Sequence, residues 1–226
     1  GRLPFLDCAR MQHPPAHHLC PLYGGMHGGM HGATHVWRTY TGVTRTMWPG
    51  TNSRVRQCPT GPLEGGATLQ MFTTVTKSPR GQNYDHNTSD APDNISILAL
   101  AQRWPAETQH SLFARAILQA DRVLAAVRQH PQLTLVRSRA DLSALLAKRQ
   151  AGDIVVGALL GTEGSHALDG DVDNIEKLYT AGFRMMSLQH FFDNQLGGSL
   201  HGESQSGLTS FGREAVIKMQ ALNITI

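Results

Sequence analysis

The chain has 226 residues, a formal net charge of +3 and 40% hydrophobic residues, enough for one domain with a genuine core but short of the roughly 250 residues of a complete β/α barrel. The small charge and the lack of any Lys/Arg cluster interleaved with aromatics argue against nucleic-acid binding. No apolar stretch approaches the ~20 residues of a transmembrane segment, and no charged stretch followed by an apolar run marks a secretory signal.

The first residue is Gly1 rather than Met, which leaves room for a removed leader, so location is unassigned and cytoplasmic only by default. Residues 1 to about 60 differ from the rest. They hold all three cysteines (Cys8, Cys20, Cys58), six of the twelve histidines and six arginines, yet Asp7 is their sole acidic residue. Neither helical nor strand periodicity persists there, and Gly, Pro, His and Arg dominate, a composition that buries no core. Three cysteines without Cys-x-x-Cys spacing indicate neither a zinc knuckle nor a closed disulfide framework. A repeat runs through this stretch: Gly24-Gly-Met-His27, Gly28-Gly-Met-His31, Gly32-Ala-Thr-His35. Histidines four apart with intervening Met can hold a soft or borderline metal loosely. Glycine-rich chain loses much entropy on closing around an ion, however, which favours structureless sequence. The expected division is 1–62 as a low-complexity segment, disordered or read out of frame, and 63–226 as a β/α domain.

From there, Ala67 to Thr76 is expected as a strand through Leu69, Met71, Phe72 and Val75 with flanking threonines. The polar stretch Lys77 to Asp93, with Pro79 and Gly81, is a loop. Asn94 to Trp104 is expected as a helix ended by Pro105. A longer helix follows, with Thr108 as its N-cap and Leu112, Phe113, Ala116, Ile117, Ala120, Val123, Leu124 and Val127 on one stripe, stopped by Pro131. Leu133 to Val136 makes a short strand, and Ser138 with Asp141 caps a helix through Leu142, Leu145 and Leu146 that Gly152 ends.

Ile154 to Leu160 is a continuous aliphatic run of strand length, suited to burial on both faces of a parallel sheet. Glu163 follows where that strand finishes. Asp171 or Asp173 then caps a helix carrying Ile175, Leu178 and Tyr179, closed by Gly182. Phe183 to Leu188 makes another strand, with His190 at its end. Strand, helix, strand with polar residues after each strand is the grammar of a β/α barrel or a doubly wound sheet, and in both the chemistry collects at the carboxyl ends of the strands. A carboxylate and an imidazole placed there share one site. The loop Phe191 to Ser206 is rich in Gly, Asn and Ser; Asp193 and Asn194 in it can orient His190, reach substrate or simply form turns. His201 and Glu203 are expected to face solvent, and His166 to orient its loop rather than bind metal. Thr209 or Ser210 caps a last helix with Phe211, Ala215, Met219 and Leu222 inward, Asn223 sits at its C′ position, and Ile224 to Ile226 starts a strand.

Several motifs agree in order and spacing with a known family. Gly161-Thr-Glu-Gly-Ser-His166, Asn174 to Arg184, Leu188-Gln-His-Phe-Phe-Asp-Asn194 and Gly207-Leu-Thr-Ser-Phe-Gly212 together resemble the renal (membrane) dipeptidase family, particularly its bacterial members. The resemblance begins near Leu63. It implies an α/β fold, a partial β/α (TIM-type) barrel, and a hydrolase that cleaves dipeptides with two zinc ions, the intact protein being a homodimer. It puts the metal-bridging carboxylate on Glu163 and a catalytic, substrate-contacting histidine on His190, with Asn194 beside it as a substrate-binding candidate. The family's His-x-Asp pair on the first strand has no counterpart among His13, His17, His18, His27, His31 and His35, and the family's Asp-Leu-Ala-His-like segment would follow Ile226. One carboxylate cannot hold two divalent cations against water, so the 226-residue chain is expected to be inactive by itself. A rival reading is a non-catalytic metal-binding protein that uses the His/Met-rich arm.

Overall fold

In the computed structural model, residues 66–226 are described; the readings of residues 1–62, including the Gly-Met-His repeat and the three cysteines, lie outside the described residues. Strand β1 (Leu69–Thr74) is followed by helices α1 (Asn94–Ala101) and α2 (Leu112–Gln129), with a 3-10 turn at Ala106–Gln109 between them. Next come β2 (Leu133–Leu135), α3 (Arg139–Gln150), β3 (Val156–Thr162), a 3-10 turn at Ser165–Leu168, α4 (Asn174–Ala181), β4 (Phe183–Met186) and α5 (Ser210–Ala221).

All strand pairs are parallel, and β3 is their hub. β1 runs along one whole edge of it, from Leu69 opposite Gly157 to Thr74 opposite Thr162. A strand has only two edges, so β2, opposite Val156 to Ala158, and β4, opposite Leu160 to Thr162, share the other. A further parallel bridge joins Met185 to Thr225, where the strand expected at Ile224 starts. The expected α/β class, a partial β/α barrel with an unclosed sheet, is what the described residues form.

The two faces of this sheet differ. Val156, Ala158 and Leu160 on the helix side of β3 are each 0% exposed. Leu160 joins Ala116 and Ala120 of α2, Ile175 and Leu178 of α4, and Ala215 and Met219 of α5 in the main core. Each of the Leu, Ile and Met side chains among them contributes about 1.5–3 kcal/mol by leaving water. On the opposite face, Met71, Leu159 and Met185 are only half-buried, and Leu69 is 41% exposed.

Several element boundaries moved: β1 and β2 are shorter than expected, at Leu69–Thr74 and Leu133–Leu135. Helix α1 stops at Ala101 rather than Trp104, because Arg103 takes a left-handed φ of 52° ahead of Pro105. The N-cap of α2 is Ser111, whose hydroxyl accepts from Ala114 N, and not Thr108; the Thr108 hydroxyl instead donates to Pro105 O within the preceding 3-10 turn. Strand β3 is shifted along the chain relative to the expected Ile154–Leu160. Ile154 lies outside it, 69% exposed. Strand β4 ends at Met186 rather than Leu188; Ser187 N makes a last bond to Thr162 O, to which its hydroxyl also donates. The Ser138 cap of α3 holds, its hydroxyl accepting from Asp141 N.

Candidate active site

Register decides what meets at the strand ends. Because β1 and β3 run in step, Thr73 on one and Glu163 just past the other reach the same place, and the Thr73 hydroxyl donates to Glu163 Oε2 at 3.3 Å. The Glu163 N–H continues the ladder to Thr74 O. β4 brings His190 to the same point from the other side, with Nε2 3.2 Å from Glu163 Oε1. The carboxylate and the imidazole that the strand ends were expected to gather do meet, and both are largely buried, with side chains 16% and 22% exposed.

A carboxylate only accepts, so a neutral His190 carries its proton on Nε2, facing Glu163. Burial lowers the pKa of His190; the Glu163 charge opposes this and His201 reinforces it, and the net result lies below the ordinary histidine value. His190 is therefore a neutral imidazole at pH 7. Its backbone is pinned from the loop: the Ser199 hydroxyl donates to His190 O at 2.5 Å.

The turn after Glu163 is fastened to β4. Gly164 N donates to the Ser187 hydroxyl at 2.7 Å, and the Ser165 hydroxyl donates to Ser187 O at 2.7 Å. Gly164 takes φ 83° and ψ 126°, a region open to glycine. Behind it lies His166, which is buried. Its ring stacks on Phe192 with centroids 4.3 Å apart and planes 6° off parallel, and burial, with help from Lys77 and His190, pushes its pKa down to about 3.

Asn194 stands in the loop after His190, where its Nδ2 donates to Leu188 O at 2.7 Å and its Oδ1 accepts from Leu196 N at 2.9 Å. The Asp193 carboxylate accepts from the backbone N–H groups of Ser199 and Ser204, a turn-forming use. Glu203 is exposed as expected. His201 is only partly turned to solvent: its Nδ1 lies 2.6 Å from Tyr84 O and its ring stacks on Phe191. It is drawn inward because the loop after β1 crosses it, with Asn87 N donating to His201 O.

Sequence reasoning missed Thr73, Ser187 and the aromatic group of Tyr84, Phe191 and His201. The alternation that places Thr73 on the same face as Met71 was a usable signal; the others depend on loop-to-loop pairings with no local signature. A cleft of about 520 Å³ is lined by Lys77, Ser165, His166, Phe192 and Asn194, among others, and by neither Glu163 nor His190. Among the described residues no group of three or more His, Cys, Asp or Glu side chains converges in a way that could hold a metal ion, and no helix among them is long and apolar enough to cross a membrane.

The family model described as membrane dipeptidase (Peptidase family M19) matches residues 85–226. Among solved structures, an amidohydrolase from Pseudomonas aeruginosa is 26% identical over 47% of this chain and 32% of its own, with a TM-score of 0.41. A metallo peptidase from Rhodobacter sphaeroides, liganded with a phosphinate mimic of the dipeptide L-Ala-D-Ala, is 23% identical over 50% and 33%, with a TM-score of 0.40. Dipeptidase AC, a metallo peptidase of family M19, is 20% identical over 73% and 44%, with a TM-score of 0.48. This chain thus spans less than half the length of each of these three.

Proposed function

This chain belongs to the membrane dipeptidase family, Peptidase family M19, and on that premise we propose that Glu163 and His190 are its working pair in metal-dependent hydrolysis of a dipeptide. The observation that carries this is their approach to 3.2 Å at the carboxyl ends of neighbouring parallel strands, the place where β/α folds assemble their chemistry. Two divergent functions follow from chemistry. Glu163 is the acceptor able to ligate a cation, and His190 is the donor able to reach a substrate oxygen. The hydrogen on Nε2 that now points at Glu163 is the one a dipeptide carbonyl or carboxylate would take up when the carboxylate is engaged elsewhere.

The resident metal implied by the family is zinc, two ions acting on one water. Each zinc takes about four ligands, and among the described residues the metal donor at this place is the Glu163 carboxylate, His190 being turned to substrate. One carboxylate does not fit a two-zinc centre by itself. The 226-residue chain alone is therefore proposed to be without dipeptidase activity, the described residues being the Glu163 and His190 sector of a site that requires further ligands.

The test is hydrolysis of L-alanyl-L-alanine by the purified chain with added zinc, beside Glu163→Ala. Neither protein is expected to turn over. Zinc-dependent hydrolysis by the parent chain that Glu163→Ala abolishes would overturn the inactivity while keeping Glu163 as a ligand; hydrolysis that survives Glu163→Ala would remove Glu163 from the site.

A further inference from the structure

Asn194 sits in a loop that borders the candidate site, yet its amide is fully occupied inside the fold. Oδ1 accepts from Leu196 N, Nδ2 donates to Leu188 O, and Nδ2 also lies 3.3 Å from His166 Nδ1. These partners fix which way the amide faces. Turned over, it would set Nδ2 against the Leu196 N–H and Oδ1 against the Leu188 carbonyl, donor to donor and acceptor to acceptor. The same contacts fix the tautomer of His166. An amide nitrogen only donates, so Nδ1 accepts and the ring proton is on Nε2.

That ring is wedged at the back of the Glu163 turn. His166 is 8% exposed, and its Nε2 is buried with no hydrogen-bond partner. A Cβ placed on Gly164 would stand 2.6 Å from Nε2 and 3.2 Å from the Cβ of His190. Gly164 therefore lies in contact range of both the ring and the start of His190. Asn194 links this wedge to Leu188, two residues before His190.

We propose that Asn194 and His166 are positioning residues: Asn194 clamps the His166 ring to the Leu188 carbonyl, the ring backs Gly164, and together they set the spacing of Glu163 and His190 without Asn194 touching substrate. The assignment rests on Glu163 and His190 being the working pair. It explains why the buried imidazole is present at all, since a ring that can accept at Nδ1 while packing flat on Phe192 joins two loops through one side chain.

The experiment is long-range 15N–1H NMR of the histidine rings in the full 226-residue chain at pH 7. His166 is expected as a single tautomer protonated on Nε2; protonation on Nδ1 would overturn the proposal. In Asn194→Asp, an acceptor remains for Leu196 N but both donors are gone. The His166 proton is then expected to move to Nδ1, and the backbone amide signals of Gly164 and Gln189 to shift together, while those of Ser199 and Ser204, held by Asp193, stay. A stationary Gly164 signal would reduce Asn194 to a loop staple. Should that variant not fold, His166→Phe keeps the stacked ring but cannot accept, and is expected to speed exchange of the Asn194 side-chain amide about tenfold; unchanged exchange also overturns the clamp. None of these measurements needs metal or substrate, so a failed clamp and a failed dipeptidase reading are separately visible.

Discussion

Gly164→Ala is the sharpest probe of how the Glu163 turn is built. The backbone there has φ 83° and ψ 126°, which costs a residue with a Cβ about 1–3 kcal/mol. The new methyl would also lie 2.6 Å and 2.8 Å from His166 Nε2 and Cδ2, and 3.2 Å from His190 Cβ. The imidazole cannot simply swing away, because Phe192 covers its face and Asn194 holds Nδ1; forcing it aside costs about 1–3 kcal/mol more. The expected destabilisation is about 2–6 kcal/mol, a large part of a typical total of about 5–15. Urea unfolding followed by circular dichroism reads this directly: with a slope of about 1–3 kcal/mol per molar, the midpoint falls by about 0.7 M or more, or the protein is unfolded from the outset. Gly207→Ala is the control, since a Cβ there meets nothing within 4 Å. Equal midpoints for Gly164→Ala and the parent chain would refute the account of the turn.

Two further predictions concern stability. His166, held at a pKa of about 3 in the fold against about 6.5 in unfolded chain, binds fewer protons when folded between those values. Its contribution is therefore complete above about pH 6.5 and is lost as pH falls towards about 3, by up to about 1.4 kcal/mol per pH unit; a His166→Phe variant should flatten the fall of the urea midpoint between pH 6 and 4, and an equally steep fall would remove His166 as its source. Asp169 caps α2 from a distance, accepting from the Ser111 hydroxyl at 2.7 Å and from Leu112 N and Phe113 N at 3.1 and 3.0 Å. Asp169→Asn keeps a residue that tolerates the φ of 50° found there but removes the charge at the helix N-terminus, for an expected loss of about 1 kcal/mol and about 2–4 °C in Tm; calorimetry showing no change would make that cap redundant.

What could be read from the sequence was what short-range chemistry encodes. The apolar runs of β1, β3 and β4 and the stripe of α2 gave the alternation of strands and helices, and the positions of Glu163 and His190 just beyond two strands were enough to expect them at one place. The errors were also local. Thr108 and Ser111 are both good capping residues, and only Asp169, 58 residues from Ser111, favours the second. Ile154 continues an apolar run but lies outside the ladder. Partners far apart in the chain left no trace: Thr73 is 90 residues from Glu163, and His201 is 117 from Tyr84. His166 was expected to orient its loop. The sequence offered no reason to connect it to Asn194, because the link exists only when two separate loops are folded over the same strand ends.

The central place of β3 also orders events in time. β1 and β2 are both neighbours of β3 and not of each other, so as the chain leaves the ribosome each waits for a strand not yet made. Leu69 and its partner Gly157 are 88 residues apart, about 4–18 s of synthesis at about 5–20 residues per second. Contacts that distant in sequence slow folding, and until β3 emerges the apolar side chains of β1 and α2 lack the central strand of their sheet. The sheet of the described residues therefore assembles around one seven-residue strand that is made late.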